Sequence, residues 1–496
     1  MARTLWTTVD DAWPQETDEP RAAPESSSTA ARDALYERYR PLIAHNPALD
    51  RSIVSYQANK RTPFYGWFKY REGFSEGLVK YALETLHPQP GVLLDPFAGS
   101  GAALFAASDL GWQTTGIEVL PVGVFAMNAR IAATRVDRTA FHAAVQNLPT
   151  TGFTAFYDPG RAPQHLAITR GAFPPDEEIQ LVGFLAYCEQ HIADADVQRL
   201  MRFAAFCVLE DISYTRKDGQ YLRWDARSGR SQGKRPFNKG RITGFQEALR
   251  AKLRQMIQDL GLAATQTALF TSAPSDHAAM PPQITEGSCL TLLPVMESAS
   301  LDFVLTSPPY ANRYDYTRTY ALELLFLGCD DAEVKRLRQT MLSCTVENRD
   351  KQEQLRAFYG TLGRERDFDR VHAVFQSQAA LQETLAILDA YRAQAKLNND
   401  HVARLVRNYF YEMCFVIAEF TRLLKPGGII TMVNDNVRYA GEDIPVDLIL
   451  SDFAASLGLS VRTIWTLGRG KGNSSQQMGH HGRSELRKCV YVWEKA

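Results

Sequence analysis

The stretch GVLLDPFAGSGAALFAASDLGWQTTGIEV, residues 91–119, restricts the fold of this chain more than any other. A short apolar run enters a turn holding Gly99 and Gly101. An alanine-rich helical segment follows, stopped by Gly111, and a second strand-like run ends at Glu118. Two strands joined through a helix lie parallel with a right-handed crossover, so the rest of the chain has to be built onto a parallel sheet. The alternation recurs in ITEGSCLTLL, LDFVL and IITMVND, and the chain closes on SVRTIWTL and KCVYVW, two runs separated by polar residues as in a hairpin. These seven candidate strands predict an α/β fold: a doubly wound, mostly parallel seven-stranded sheet with large, mainly helical insertions.

At 496 residues the chain has room for such a sheet and its insertions. A share of 45% hydrophobic and 22% charged residues is that of a globular protein, and no apolar run approaches the length of a membrane helix. Seven cysteines are scattered without a CxxC pair, which argues against a zinc cluster or a disulfide framework and fits a cytoplasmic location. Residues 1–33, rich in acids, Pro, Ser and Ala, read as a disordered tail. The expected segments are then 34–125, a cofactor-binding half; 126–282, an insert; 283–328, a catalytic segment; 329–400, a helical insertion; and 401–496, the rest of the sheet.

In DPFAGSG, Asp95 stands at the strand end, and the glycines let the main chain approach a ligand at the start of a helix, where N–H groups lack partners. Glu118 ends the next strand about twenty residues on, where an acid accepts from two ribose hydroxyls. No GxxxxGK[ST] motif is present, so a nucleoside cofactor with a small charged tail suits the turn better than a triphosphate. TSPPY follows the fourth candidate strand, at the carboxyl edge where open α/β sheets bind ligands. Its prolines fix φ and remove two N–H donors, leaving acceptors. Ser307 Oγ and the Pro308 carbonyl would orient an exocyclic amine, Pro309 would stiffen the corner, and Tyr310 would lie against a flat ring.

Together, DPFAGSG and TSPPY resemble the amino-group DNA methyltransferases that use S-adenosylmethionine, the N4-cytosine/N6-adenine group, over residues 60–125 and 284–496. The resemblance implies the class I methyltransferase sheet, with Asp95, Pro96, Phe97, Gly99 and Gly101 around the methionine part of the cofactor and Glu118 on its ribose. It implies Tyr70 and Phe74, in FKYREGFSEGLV, as further cofactor contacts, and it puts Ser288 where the family often has an acid near the adenine. Ser307, Pro308, Pro309 and Tyr310 would form the catalytic corner. A serine at 307 is commoner among N4-cytosine enzymes, so N4 of cytosine is the expected target. The cofactor motif precedes the catalytic one, which places target recognition in the insert.

Double-stranded DNA is the expected partner, and the family admits a cognate restriction endonuclease beside it. Between 215 and 241 there are nine Lys/Arg and two Asp, a local charge of about +7 in a chain of net charge −1. Arg216, Lys217, Arg223, Trp224, Arg227, Lys234 and Arg235 are the expected DNA contacts there, with Arg313 beside the corner. A second basic loop, 468–483, holds His480 and His481 without companion metal ligands, and reads as a backbone contact. Three alternatives stay open: an N6-adenine enzyme, an RNA amino-group methyltransferase, and a catalytically silent DNA-binding protein. With no Pro-Cys pair in the chain, a covalent route to carbon-5 of cytosine is disfavoured.

Overall fold

The computed structural model describes residues 29–70, 73–218, 221–230, 236–270, 280–467 and 486–496. Twelve strands occur among them: β1 (Ile43–His45), β2 (Val92–Asp95), β3 (Gln113–Glu118), β4 (Thr215–Asp218), β5 (Tyr221–Trp224), β6 (Gln283–Glu286), β7 (Leu301–Thr306), β8 (Leu424–Asp435), β9 (Val437–Tyr439), β10 (Glu442–Ile444), β11 (Leu459–Thr466) and β12 (Lys488–Lys495). Eight form the central sheet in the order β1-β11-β12-β8-β7-β2-β3-β6. β12 runs antiparallel to both of its neighbours and every other pairing is parallel. The seven expected strands are all present. The eighth, β1, is a three-residue edge strand beside β11, too short to carry a readable alternation.

Alternation along the central strands sends side chains to opposite faces. Leu93, Phe303 and Leu305 pack with the helices Glu76–Leu86 and Ala102–Ser108 on one face. Leu94 and Val304 pack with the helices Ala379–Ala393, Val402–Leu423 and Val446–Ser456 on the other. The 329–400 insertion is tied to the almost wholly buried helix Val402–Leu423 through charge as well as apolar contact. Lys351 Nζ pairs with Glu412 at 2.8 Å, and Glu419 accepts from Tyr359 Oη and Arg364 Nη2, each at 2.7 Å.

A third core belongs to the insert. The helices Pro121–Arg135, Pro175–His191, Ala195–Cys207 and the first turns of Phe245–Phe270 pack with Trp67, Phe68, Tyr70 and the segment Tyr320–Leu325. The helix Pro121–Arg135 runs straight across the boundary expected at 125/126, because its inner face serves this core while its first turn backs onto the glycine loop. Helix also begins at Ala30, inside the expected tail, where Arg32 pairs with Glu383 at 2.8 Å and Glu442 at 3.0 Å. Residues 1–28 lie outside the described residues. Among the described residues, no helix is long and apolar enough to cross a membrane.

β2 and β7 are adjacent and parallel, with Leu93 opposite Phe303 and Leu94 opposite Val304. From this pair the chain winds outward in both directions, through β3 and β6 on one side and β8 on the other. Such a switch point opens a crevice at the carboxyl ends of its strands. The loop after β2 is DPFAGSG and the loop after β7 is SPPY.

Candidate active site

Asp95 and Thr306 close the two central strands and are bonded to each other: Thr306 Oγ1 donates to Asp95 Oδ1 at 2.6 Å, and Phe97 N–H donates to the same oxygen at 3.1 Å. Gly99 and Gly101 take φ of +53° and +81°, a region that favours glycine. Space demands it too, since a Cβ on Gly99 would meet the Tyr70 ring at 2.7 Å. Glu118 lies across the loop, with Gly99 N–H donating to Oε2 and Leu120 N–H to Oε1, both at 2.7 Å. A carboxylate has about four acceptor positions, so Glu118 keeps acceptor capacity for a ligand.

Both acids are buried, Asp95 at 2% and Glu118 at 6% exposure. Burial pushes the pKa of Asp95 up to about 7, against the hydrogen bonds from Thr306 and Phe97. It pushes Glu118 up to about 7 as well, against the N–H groups of Leu120 and Gly99, and the nearby Asp95 charge adds to the rise. Two acids this poorly solvated gain from hydroxyl or ammonium donors. An open cleft lies against Glu118, lined among others by Tyr70, Pro96, Phe97, Glu118, Ser288 and Ser307. Its mix of apolar walls with few polar groups suits a nucleoside. The residues present therefore fit S-adenosylmethionine.

Of the expected cofactor contacts, Asp95, Gly99, Gly101 and Phe74 are not among the residues that line the cleft, and Ser288 lines it with its hydroxyl already engaged. Phe74 is absent from the cleft: it precedes the helix Glu76–Leu86 and packs in the core with Leu78 and Val79. The helix that follows starts only after the Ser75 cap. Ser288 does line the cleft, yet its hydroxyl donates to the Thr340 carbonyl at 3.1 Å and accepts from Leu290 N–H at 3.4 Å, capping a short helix.

At the proline corner, Ser307 Oγ donates to Tyr310 Oη at 3.3 Å. A second cleft of about 750 Å³ opens here, lined by Val54, Ser55, Gly73, Ser307, Pro308, Tyr310, Asn312, Tyr314, Tyr316 and Lys488. Ser307 and Tyr316 line both clefts, so the two spaces meet at the corner. The following loop is pinned from outside: Tyr439 Oη donates to the Ala311 carbonyl at 2.6 Å. Arg313 sits at φ +67°, a strained value for a non-glycine residue, with Nη1 donating to Asn398 at 3.1 Å.

Sequence reasoning missed Thr306, Gly123, Tyr316, Tyr320 and Lys488. Tyr320 stacks on Tyr70 at 5.1 Å between centroids, with planes 10° apart, and so backs a wall of the first cleft. The repeated tyrosines after SPPY were a usable signal for Tyr316. Nothing local marked Lys488, which arrives from the far end of the chain.

The basic segment divides by face. β4 and β5 form a hairpin in which Thr215 and Lys217 point inward while Arg216 points out. Lys217 is therefore removed from the expected DNA contacts: it is 4% exposed, and its ammonium pairs with Glu323 at 2.5 Å over the Tyr320 ring. Trp224 is removed too, being 2% exposed in the insert core with Arg230 stacked on it at 4.0 Å. Arg227 spends its guanidinium on Asp225, at 2.7 and 2.9 Å, and on the Gly240 carbonyl. Arg216 and Arg223 stand directly opposite each other, Arg223 being balanced by Asp218 at 3.1 Å and stacked on Phe237. Lys234, Arg235, His480 and His481 lie outside the described residues. Among the described residues no cluster of three or more metal-ligating side chains occurs.

The chain is 44% identical over 470 residues to the Type II methyltransferase M.AvaI of Nostoc sp. and of Anabaena variabilis, covering 93% of this chain and 92% of each relative. It is 37% identical over 480 residues to the Type II methyltransferase M.BsoBI of Geobacillus stearothermophilus, covering 93% of this chain and 91% of that one. No protein-family profile matches the chain, and no solved structure matches it.

Proposed function

The chain belongs to the type II methyltransferases, site-specific DNA-methylating proteins of restriction–modification systems, and from that premise we propose that it methylates an exocyclic base amine, N4 of cytosine rather than N6 of adenine. The observation that carries the reading is the meeting of two clefts at Ser307 and Tyr316, on the switch point of the sheet. Asp95, Glu118 and the glycine loop would hold S-adenosylmethionine on one side. Bound there, it supplies an electrophilic methyl group on a sulfonium.

The chain's own residues handle the base. Ser307 Oγ and the Pro308 carbonyl accept hydrogens from the amine, orienting its lone pair toward the cofactor cleft. Tyr310 offers its ring to the face of the extruded base, and the proton lost by the amine passes to water. A neutral serine at the corner favours cytosine, following the family tendency. Cys289 lines the cofactor cleft, but burial pushes its thiol up to about 12, so it supplies no thiolate for a covalent carbon-5 route.

Outside the clefts, Arg216 and Arg223 would take DNA phosphates. Arg216 is exposed on the outer face directly opposite Arg223, which gathers positive charge where a phosphate can reach it. Arg313, beside the corner, would contact the strand next to the extruded base. A cognate endonuclease of the same site is the partner that type II membership suggests. Methylation-sensitive sequencing of DNA from cells expressing the chain, with mass analysis of the nucleosides, tests the reading. N4-methylcytosine at one short motif is expected; N6-methyladenine would overturn the cytosine assignment. Ser307→Ala should lower kcat roughly 10²–10³-fold, the loss typical of one transition-state contact, while cofactor affinity holds.

A further inference from the structure

Lys488 opens β12 and enters the second cleft beside Ser307, Pro308 and Tyr310. Its Nζ lies 5.9 Å from the centre of the Tyr310 ring and 3.8 Å from Asp435 Oδ1. The second distance is one of attraction, not of a hydrogen bond. Asp435 Oδ1 is itself buried without a hydrogen-bond partner, and the ammonium also interacts with the Tyr310 phenol, so of its three donors at least one stays available to a ligand in the cleft. Burial works against the Lys488 charge, but Tyr310 and Asp435 outweigh it and raise its pKa. Arg51 also acts on Asp435 and on Lys488, so two cations share one carboxylate at this wall.

An extruded base whose amine is held by Ser307 turns its remaining Watson–Crick edge along the same cleft. For cytosine that edge carries only acceptors, N3 and O2; for adenine the neighbouring atom, N1, is also an acceptor. A wall offering ammonium donors beside the amine site matches either edge and rejects a keto-imino edge, whose N–H would face the cation. We propose that Lys488 donates to the acceptor edge of the extruded target base and is a specificity-determining residue of the base cleft. The inference rests on the amine-methylation reading.

The chemistry also limits what Lys488 does. Methyl transfer builds positive charge on the amine, and a cation close by opposes that, with Asp435 offsetting part of the opposition. Lys488 therefore contributes to holding the base, not to accelerating the transfer.

The test is a cycle between protein and DNA, using the duplex site mapped in cells and the same duplex with an abasic target nucleotide. Lys488→Met should weaken binding to the intact duplex roughly ten- to hundred-fold, the range for a hydrogen bond to a charged group, and leave binding to the abasic duplex unchanged. KM for DNA should rise while kcat changes by less than about threefold, and Lys488→Arg should recover part of the loss. Equal weakening on both duplexes would reassign Lys488 to a phosphate, and no weakening on either would also overturn the proposal. Lys488→Gln, with S-adenosylmethionine affinity and thermal unfolding measured alongside, separates the contact from misfolding. If the wild-type protein methylates no amine, the reading beneath has failed instead, and the nucleoside analysis reports that independently.

Discussion

Replacing Gly123 by alanine sets two effects of opposite sign against each other. Gly123 lies in the first turn of the helix Pro121–Arg135 at an ordinary helical φ, so helix propensity favours alanine there by up to about 0.8–1.0 kcal/mol. Its missing Cβ, however, would stand 2.3 Å from the Gly99 carbonyl oxygen and 2.8 Å from Glu118 Cγ. Both must give way, the carbonyl further than the Cγ, and overpacking of this kind costs about 1–3 kcal/mol. The displaced atoms flank the 2.7 Å bond from Gly99 N–H to Glu118, the contact that aims the acid at the cleft. Losing a hydrogen bond to a charged group, about 1.5–3 kcal/mol, corresponds to roughly ten- to hundred-fold in affinity. Gly123→Ala should accordingly lower thermal stability slightly and weaken S-adenosylmethionine binding by that factor in calorimetric titration. Gly261→Ala is the control: it lies in the helix Phe245–Phe270 with nothing within 4 Å of its added Cβ, and should stabilise. If Gly123→Ala also stabilises and binds cofactor as tightly as wild type, the argument that the helix backs the loop is refuted.

Cofactor affinity should depend on pH through Asp95 and Glu118, both near 7 in the folded protein. Each is raised above its unfolded value of about 4, so the folded state holds extra protons between about pH 4 and 7. Their stabilising effect is full below pH 4 and is lost as pH rises through 7, whereas binding needs the ionised acids and should weaken up to about tenfold per group for each unit below 7. Titrations at pH 6 and 8 check this, and a flat profile would contradict it. Lys217→Met should cost about 3–5 kcal/mol in urea unfolding by stranding buried Glu323, with Lys217→Met/Glu323→Leu recovering much of it. Arg216→Ala should weaken binding to all duplexes alike and reduce the slope of log K against log salt by about one; an unchanged slope would remove the hairpin's outer face from the interface.

The sheet and the two loops were legible because each is specified locally. DPFAGSG needs glycine for its φ values and for the Tyr70 ring above it, and SPPY needs its prolines for rigidity, so both leave marks within seven residues. The strands were legible through apolar runs, except β1, whose edge position gives only three residues to read. Other features escaped because they are fixed by long-range partners. Lys217 and Arg216 are neighbours in a basic run, and only the inward pleat of β4, set by Glu323 over a hundred residues on, tells core from surface. Phe74 follows from the resemblance alone, and its place in the core is set by packing with Leu78 and Val79 that the motif does not carry.

That same distinction explains how the site is assembled. Asp95, Glu118 and the serine corner are held by contacts within the sheet, through Thr306 bonded to Asp95 and Gly99 to Glu118, so the side proposed to hold the cofactor is formed without any partner. The base cleft draws instead on remote segments: Val54 and Ser55 near the start, Tyr314 and Tyr316 after the corner, and Lys488 from the last strand. Its wall is thus complete only when the C-terminal hairpin has paired β12 with β8, with Lys488 opposite Asp435. A perturbation of β12 should consequently reach the base without reaching the cofactor, and one at Gly123 the reverse. The two clefts share Ser307 and Tyr316 but are built from different parts of the chain.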